Sequence, residues 1–503
     1  MWTFDEVGNL EDQVFTVLRR TTLGFSSLTI WSLFLSTNSI ISRLVAPVQL
    51  DPSSRVRQLQ LKRFPPFYAF PIDLEATHRL KGIGQLKKPL GEFSTVHHMS
   101  SFGRPLWTAY STEDPETLQQ FVQQNLLGGG LSLALNGSVK LWTQQVFALA
   151  AARICLDPAK NSTEAIALAD NAVNMHLRAI VGWSEDPSII LTTTISEPLV
   201  SDAAAGLLME RWQGVYIWQK VLETLGGELL SRGLLMKGEL LARLILVLAA
   251  DFTRKTNYDQ KLAGGNPEAF LFSQPMELRD FFRQLFGDEL LHNAHHSLLR
   301  TPVAEHTSDA FRGALLNFNH FIYTLEPLPA DPNRMQQLLR ALLRKHEALQ
   351  LSSNQEFWDL LIPIYLGSST EEFDLRKTSA ILVQVKNRLR KTTLIPSPRQ
   401  FSCFFDIHKI PVVHILLDLG VEPEIKVHSY LKSQIFCITS KGRTAATFPF
   451  LGTSGLASAC SFLAEMEFQE APPIHQQIIK SLLGVKMPTG EDKHDMDCDD
   501  NDS

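Results

Sequence analysis

The chain has 503 residues, more than a single hydrophobic core usually organises, so two or three domains are expected. Its 44% hydrophobic and 20% charged residues, without excess Gly or Pro, exclude a disordered or fibrous chain. The net charge of −6 argues against nucleic-acid binding over the whole surface, but leaves room for a local basic face.

Five scattered cysteines, Cys155, Cys403, Cys437, Cys460 and Cys498, contain no Cys-x-x-Cys pair. They fit a reducing compartment and offer neither a zinc knuckle nor a redox motif. Asp5, Glu6, Glu11 and Asp12 stand where a secretory signal carries basic residues. The expected location is therefore intracellular, in the nucleus or cytoplasm.

Residues 10–43 carry a helical pattern. The stretch 23–45 is the most membrane-like, yet Ser26, Ser27, Ser32, Ser36 and Ser39 interrupt it, so a buried core helix is expected and no membrane partner. Prolines at 47, 52, 65, 66 and 71 mark an extended connection. A helix over 112–127 has Asp114 as its cap, Pro115 at its first position and Gly128-Gly129-Gly130 beyond its end. Helices over 139–154 and 163–181 follow, then a strand over 189–195. Residues 199–254 form the strongest helical block, with Leu207, Leu208, Trp212, Val215, Trp218 and Val221 on one face. One more helix is expected over 276–299.

After about residue 355 the apolar runs become short and rich in Ile and Val, at 360–365, 380–385, 411–417 and 435–438, as in a buried sheet. From about 491 the chain is acidic and carries no aromatic residue, the composition of a solvated tail.

No Walker pattern occurs near Lys81-Gly82-Ile83-Gly84 or Gly128–Gly130, so no nucleotide-binding motif is found. Glu289, His292 and His296 share one helix face, but lack the second Glu-x-x-His that a di-metal bundle needs. The cluster with most chemical content pairs Asp359 with Gln384-Val385-Lys386. If 360–365 and 380–385 pair as an antiparallel hairpin, Asp359 falls beside Gln384 and Lys386, which point to one face while Val385 points to the other. A carboxylate and an amide oxygen, Asp359 and Gln384, suit a divalent cation, and the Lys386 ammonium suits a phosphate or an attacking water.

The motif resembles that of the restriction-endonuclease-like superfamily: an Asp, then a strand with Glu- or Gln-x-Lys. The stretch of about 311–387, with Asn317-Phe318-Asn319-His320-Phe321 and Leu382-Val383-Gln384-Val385-Lys386-Asn387, is similar to the nuclease modules of fungal crinkler-type and transposon-derived effector proteins. The resemblance implies a Mg²⁺- or Mn²⁺-dependent nuclease with Asp359, Gln384 and Lys386 as catalytic residues. Two departures stand out: Gln replaces the commoner Glu, and the upstream helical Glu has only Glu347 as a candidate.

Residues 334–399 carry eleven basic against six acidic side chains, so DNA or RNA is the expected partner there. The named contacts are Arg340, Arg344, Lys345, Arg388, Arg390 and Lys391. A non-catalytic interaction protein with a silent nuclease fold is the alternative. The expected class is α+β: a mainly helical region over 1–310, with a break near 185–200, an α/β restriction-endonuclease-like domain over 311–485, and a disordered acidic tail over 486–503. Deleting residues 488–503 should leave the melting temperature unchanged, and a drop of several degrees in a thermal melt would show that the tail docks.

Overall fold

The computed structural model describes residues 2–4, 14, 17–18, 21, 32–34, 72–80, 88–129, 142–159, 162–183, 190–235, 239–261, 271–288, 311–352, 355–386, 397–421, 423–429 and 434–468. The acidic tail and the Glu289–His292–His296 face lie outside them. The fold is mixed α/β, and Met1–Glu467 forms one compact unit. Among the described residues no helix is long and apolar enough to cross a membrane.

The helical expectation for 10–43 is corrected in part, because β2 (Ser32–Phe34) pairs in parallel with β1 (Trp2–Phe4). Serine competes for backbone hydrogen bonds and weakens a helix there. Helix Pro115–Leu126 starts as read: the Asp114 carboxylate accepts from the Thr117 N–H at 3.1 Å, and Gly128 and Gly129 leave the helix with φ of 75° and 81°. Helix Thr163–Met175 stops earlier than expected. Leu177 takes φ 59°, and the chain turns into β3 (Arg178–Trp183), which pairs antiparallel with β4 (Ile190–Thr194).

The 199–254 block is several elements. Helix Pro198–Leu208 is followed by a tight hairpin of β5 (Arg211–Trp212) and β6 (Val215–Tyr216), joined by Gln213-Gly214 with φ of 49° and 82°. Helix Ile217–Thr224 continues into a wider turn, Leu225–Leu230, where Gly226 lies against Phe462 so closely that a Cβ would meet the ring at 2.8 Å. Helix Leu240–Lys261 is buried from Leu240 to Arg254. Arg243, a charged residue in this apolar run, is buried and donates to the carbonyl oxygens of Ile154 and Cys155. Two further charges are sealed in this core: Arg153 and Asp251 form an ion pair in which both side chains are 0% exposed.

The sheet begins with β7 (Met276–Glu277), which runs into helix Leu278–Phe286, and β8 (Leu315–Leu316). It continues through β9 (His320–Tyr323), helix Pro332–Lys345, β10 (Glu347–Gln350), β11 (Leu360–Tyr365), β12 (Thr378–Lys386), β13 (Val412–Asp418), β14 (Glu424–Ser429) and β15 (Ile435–Lys441). Its spatial order is β14-β15-β13-β12-β11-β10-β9, with β8 pairing β11 and β7. The expected β11–β12 hairpin is antiparallel, Leu360 facing Val383 and Tyr365 facing Thr378, whereas β12, β13 and β15 run parallel. Helix Pro332–Lys345 covers one face, where Leu339 and Leu342 meet Leu361, Leu382, Phe401 and Val412. The opposite face is also buried at Ile362, Ile381, Val383 and Ile415, which explains the uninterrupted apolar runs.

Two outcomes follow for stability. Leu246→Ala, at a fully buried position, should cost about 2–5 kcal/mol in urea unfolding. Burial, against the opposing charges of Arg153 and Arg254, raises Asp202 to about 7. The folded state then holds a proton that the unfolded state releases near pH 4, so stability falls as pH rises from about 4 to 7. Asp202→Asn should remove that slope, and denaturation midpoints at pH 5 and pH 8 that shift equally in both proteins would count against it.

Candidate functional site

Asp359 sits one residue before β11 and is held on three sides. Its N–H donates to Val383 O at 2.8 Å, its carbonyl accepts from the Leu351 N–H at 2.8 Å, and its Oδ2 accepts from the Val385 N–H at 2.6 Å. The buried Trp358 beside it packs against Phe401 and Phe404, with ring centroids 5.1 Å and 5.5 Å away, and anchors this turn. Burial pushes the Asp359 carboxyl up to about 6; the Val385 N–H and the Lys386 charge oppose the rise, and the negative Glu239 adds to it.

Strand alternation places Gln384 and Lys386 on the same face as Leu382, beneath helix Pro332–Lys345. The carboxylate of Asp359 thus abuts the backbone between the two, as the hairpin requires. Their exposure differs. Lys386 is half-buried at the end of β12, whereas Gln384 is 6% exposed, and its Oε1 accepts no hydrogen bond among the described residues. A buried amide oxygen without a donor is a costly state, and a cation is one group that relieves it. Asp359 and Gln384 are the two oxygen-bearing side chains of this edge that could hold a divalent ion. Beyond Lys386 a charged row crosses the carboxyl ends of the parallel strands. Lys386 is in register with Asp418, and Asp418 with Lys441, whose ammonium pairs with Glu424.

Three of the expected nucleic-acid contacts, Arg340, Arg344 and Lys345, lie elsewhere. Arg340 stands 5.9 Å from the Phe373 ring, which stacks on Tyr365 at the far end of β11. Six residue steps along the strand separate that end from Asp359, about 20 Å at the usual rise. Arg344 is buried, 5.6 Å from the Phe93 ring, and is lowered to about 10 by burial and by Arg340. Burial opposes the charge on Lys345, yet Glu347 and Asp73, 2.8 Å and 3.0 Å from its ammonium, raise its affinity for the proton. Arg388, Arg390 and Lys391 lie outside the described residues. Glu347 opens β10 in register with His320, accepts from Ser196, and is held by Lys345. It is not beside Asp359.

Sequence reasoning missed Glu239. Its carboxylate accepts from the Gln350 amide at 3.0 Å, and it lines, with Gln350 and Asp359, a cleft of about 810 Å³. Nothing local marks it, because the contact joins a helix start to a strand distant in sequence. It also missed Ser196, whose hydroxyl is 2.9 Å from His320 Nε2, while His320 Nδ1 is 2.5 Å from Asn319 Oδ1. Elsewhere, Trp107 is buried and donates to Glu197 at 2.7 Å, and Arg104 pairs with the same carboxylate. Among the described residues, no three His, Cys, Asp or Glu side chains converge as a metal cluster.

Comparison with known protein families, with curated proteins and with solved structures gave no match.

Proposed function

We propose that the protein is a Mg²⁺- or Mn²⁺-dependent nuclease of the restriction-endonuclease-like superfamily, acting on DNA or RNA in the nucleus or cytoplasm. In this reading the sheet and helices within 311–485 are its nuclease domain, and the helical region before it is a scaffold. One observation carries the reading: the Asp359 carboxylate is fastened to the backbone of Gln384-Val385-Lys386, the order and spacing of the motif.

Asp359 and Gln384 would hold the cation, which supplies charge neutralisation at the phosphate and a more acidic water. The backbone N–H of Val385 fixes the Asp359 carboxylate, so that it binds without reorganising. Lys386, half-buried at the strand end, would donate to a phosphoryl oxygen or align the attacking water.

A second reading, a catalytically silent fold serving as an interaction scaffold, is favoured by one feature: Arg344 and Lys345 face internal partners and not solvent phosphate.

Plasmid cleavage and calorimetric titration with Mn²⁺ separate the two. Asp359→Ala should abolish both binding and cleavage. Lys386→Ala should keep Mn²⁺ binding and reduce cleavage by about 10²–10³-fold, the usual effect of removing one donor to a developing charge. Gln384→Glu restores a full charge at contact distance and should tighten Mn²⁺. Equal weak binding in all four proteins, with no cleavage, selects the scaffold.

A further inference from the structure

The 810 Å³ cleft beside Asp359 is within the size range of small-molecule sites and has a distinct chemistry. Ala165, Ile166 and Leu191 line its wall. At its lip stand three apolar side chains exposed to solvent, Val181 at 49%, Tyr323 at 39% and Leu325 at 82%. Exposed apolar side chains at a cleft of this size suit the apolar part of a small ligand.

The charged groups in the cleft are not equivalent. Arg178 has all five guanidinium donors in use: Nε to Thr192 Oγ1, Nη1 to Leu156 O and Thr194 Oγ1, and Nη2 to Asp157 and Thr192 O. Its charge is also balanced by Asp157 at 3.1 Å. Arg243 is turned to the carbonyl oxygens of Ile154 and Cys155. The two acids differ. Glu239 accepts from a neutral amide, that of Gln350, and Asp359 from a backbone N–H, so neither has an ion-pair partner among the described residues. Among the described residues, an anion entering the cleft finds the Arg178 donors already engaged and Arg243 turned to backbone carbonyls. A cation meets two carboxylates at the end of an apolar wall.

We propose that this cleft binds a small organic amine with an apolar body, its ammonium held by Glu239 beside Asp359 and its body against Tyr323 and Leu325. The inference stands without the nuclease reading, since it requires neither a metal nor Lys386. Glu239 is built to receive such a group. It immediately precedes helix Leu240–Lys261, and its carbonyl accepts the Arg243 N–H at 3.0 Å, so the helix start fixes its backbone while Gln350 orients the carboxylate.

The test is calorimetric titration of the full chain with three probes of one shape: tryptamine, tryptophol and indole-3-acetate. Tryptamine should bind at least about tenfold more tightly than tryptophol, as an ion-assisted hydrogen bond does over a neutral one, and indole-3-acetate should not bind. Glu239→Gln should reduce tryptamine to the level of tryptophol, and Leu325→Ser, on the exposed lip, should weaken both neutral and cationic probes alike. Thermal melts of both variants check that they fold. Equal binding of the three probes, an unaltered tryptamine affinity in Glu239→Gln, or no tryptamine binding into the millimolar range overturns the proposal. Nuclease activity has no bearing on these outcomes.

Discussion

The position of β12 in the sheet constrains everything around the candidate site. It pairs antiparallel with β11 on one edge and parallel with β13 on the other, and both of its faces are buried. Side chains along a strand alternate, so a one-residue slip would exchange Leu382 and Gln384 for Val383 and Val385 beneath helix Pro332–Lys345. It would move the Gln384 amide to the opposite, apolar face and detach the Val385 N–H from Asp359. The register is therefore held by the core and the site together. The Asp359 carboxylate contributes to that fixation directly, since a buried backbone N–H left without an acceptor costs about 1–3 kcal/mol.

The same geometry explains which parts were legible in the sequence. β11, β12, β13 and β15 are buried on both faces, so each appears as an unbroken apolar run that no amphipathic helix would show. The start of helix Pro115–Leu126 was legible because its cap is local, Asp114 reaching Thr117 three residues on. What failed was non-local. Arg243, Arg344 and Lys345 look like solvated helix charges, and only tertiary packing turns them toward carbonyls, an aromatic ring and two carboxylates. The strand β2 was hidden in a serine-rich stretch whose partner, β1, lies at the start of the chain.

The candidate site was half legible for the same reason. Asp359 and the Gln-x-Lys strand are neighbours in sequence and meet through a simple hairpin. Glu239, Gln350 and the hairpin β3–β4 reach the same cleft from other elements, and no spacing rule connects them. Burial of Gln384 also lay beyond pattern reading, because a polar residue near a strand end is as easily exposed. Its unpartnered Oε1 is informative only once the packing above it is known.

Electrostatics orders the events that this site can support. In the nuclease reading, Glu239 and Asp359 oppose the approach of a phosphodiester, while Arg178 and Arg243 add positive charge to the same cleft. Two unit charges 4 Å apart near a protein surface interact by about 4 kcal/mol, enough to change an occupancy by roughly three orders of magnitude. In that reading a cation bound beside Asp359 offsets its charge. If it is a divalent ion between Asp359 and Gln384, the field at Lys386 reverses and phosphate becomes a favourable ligand. An ammonium at Glu239 screens the same carboxylates without offering open coordination positions. In the two proposals the cations compete for one field while selecting opposite partners, so the two tests read the same carboxylates from different sides.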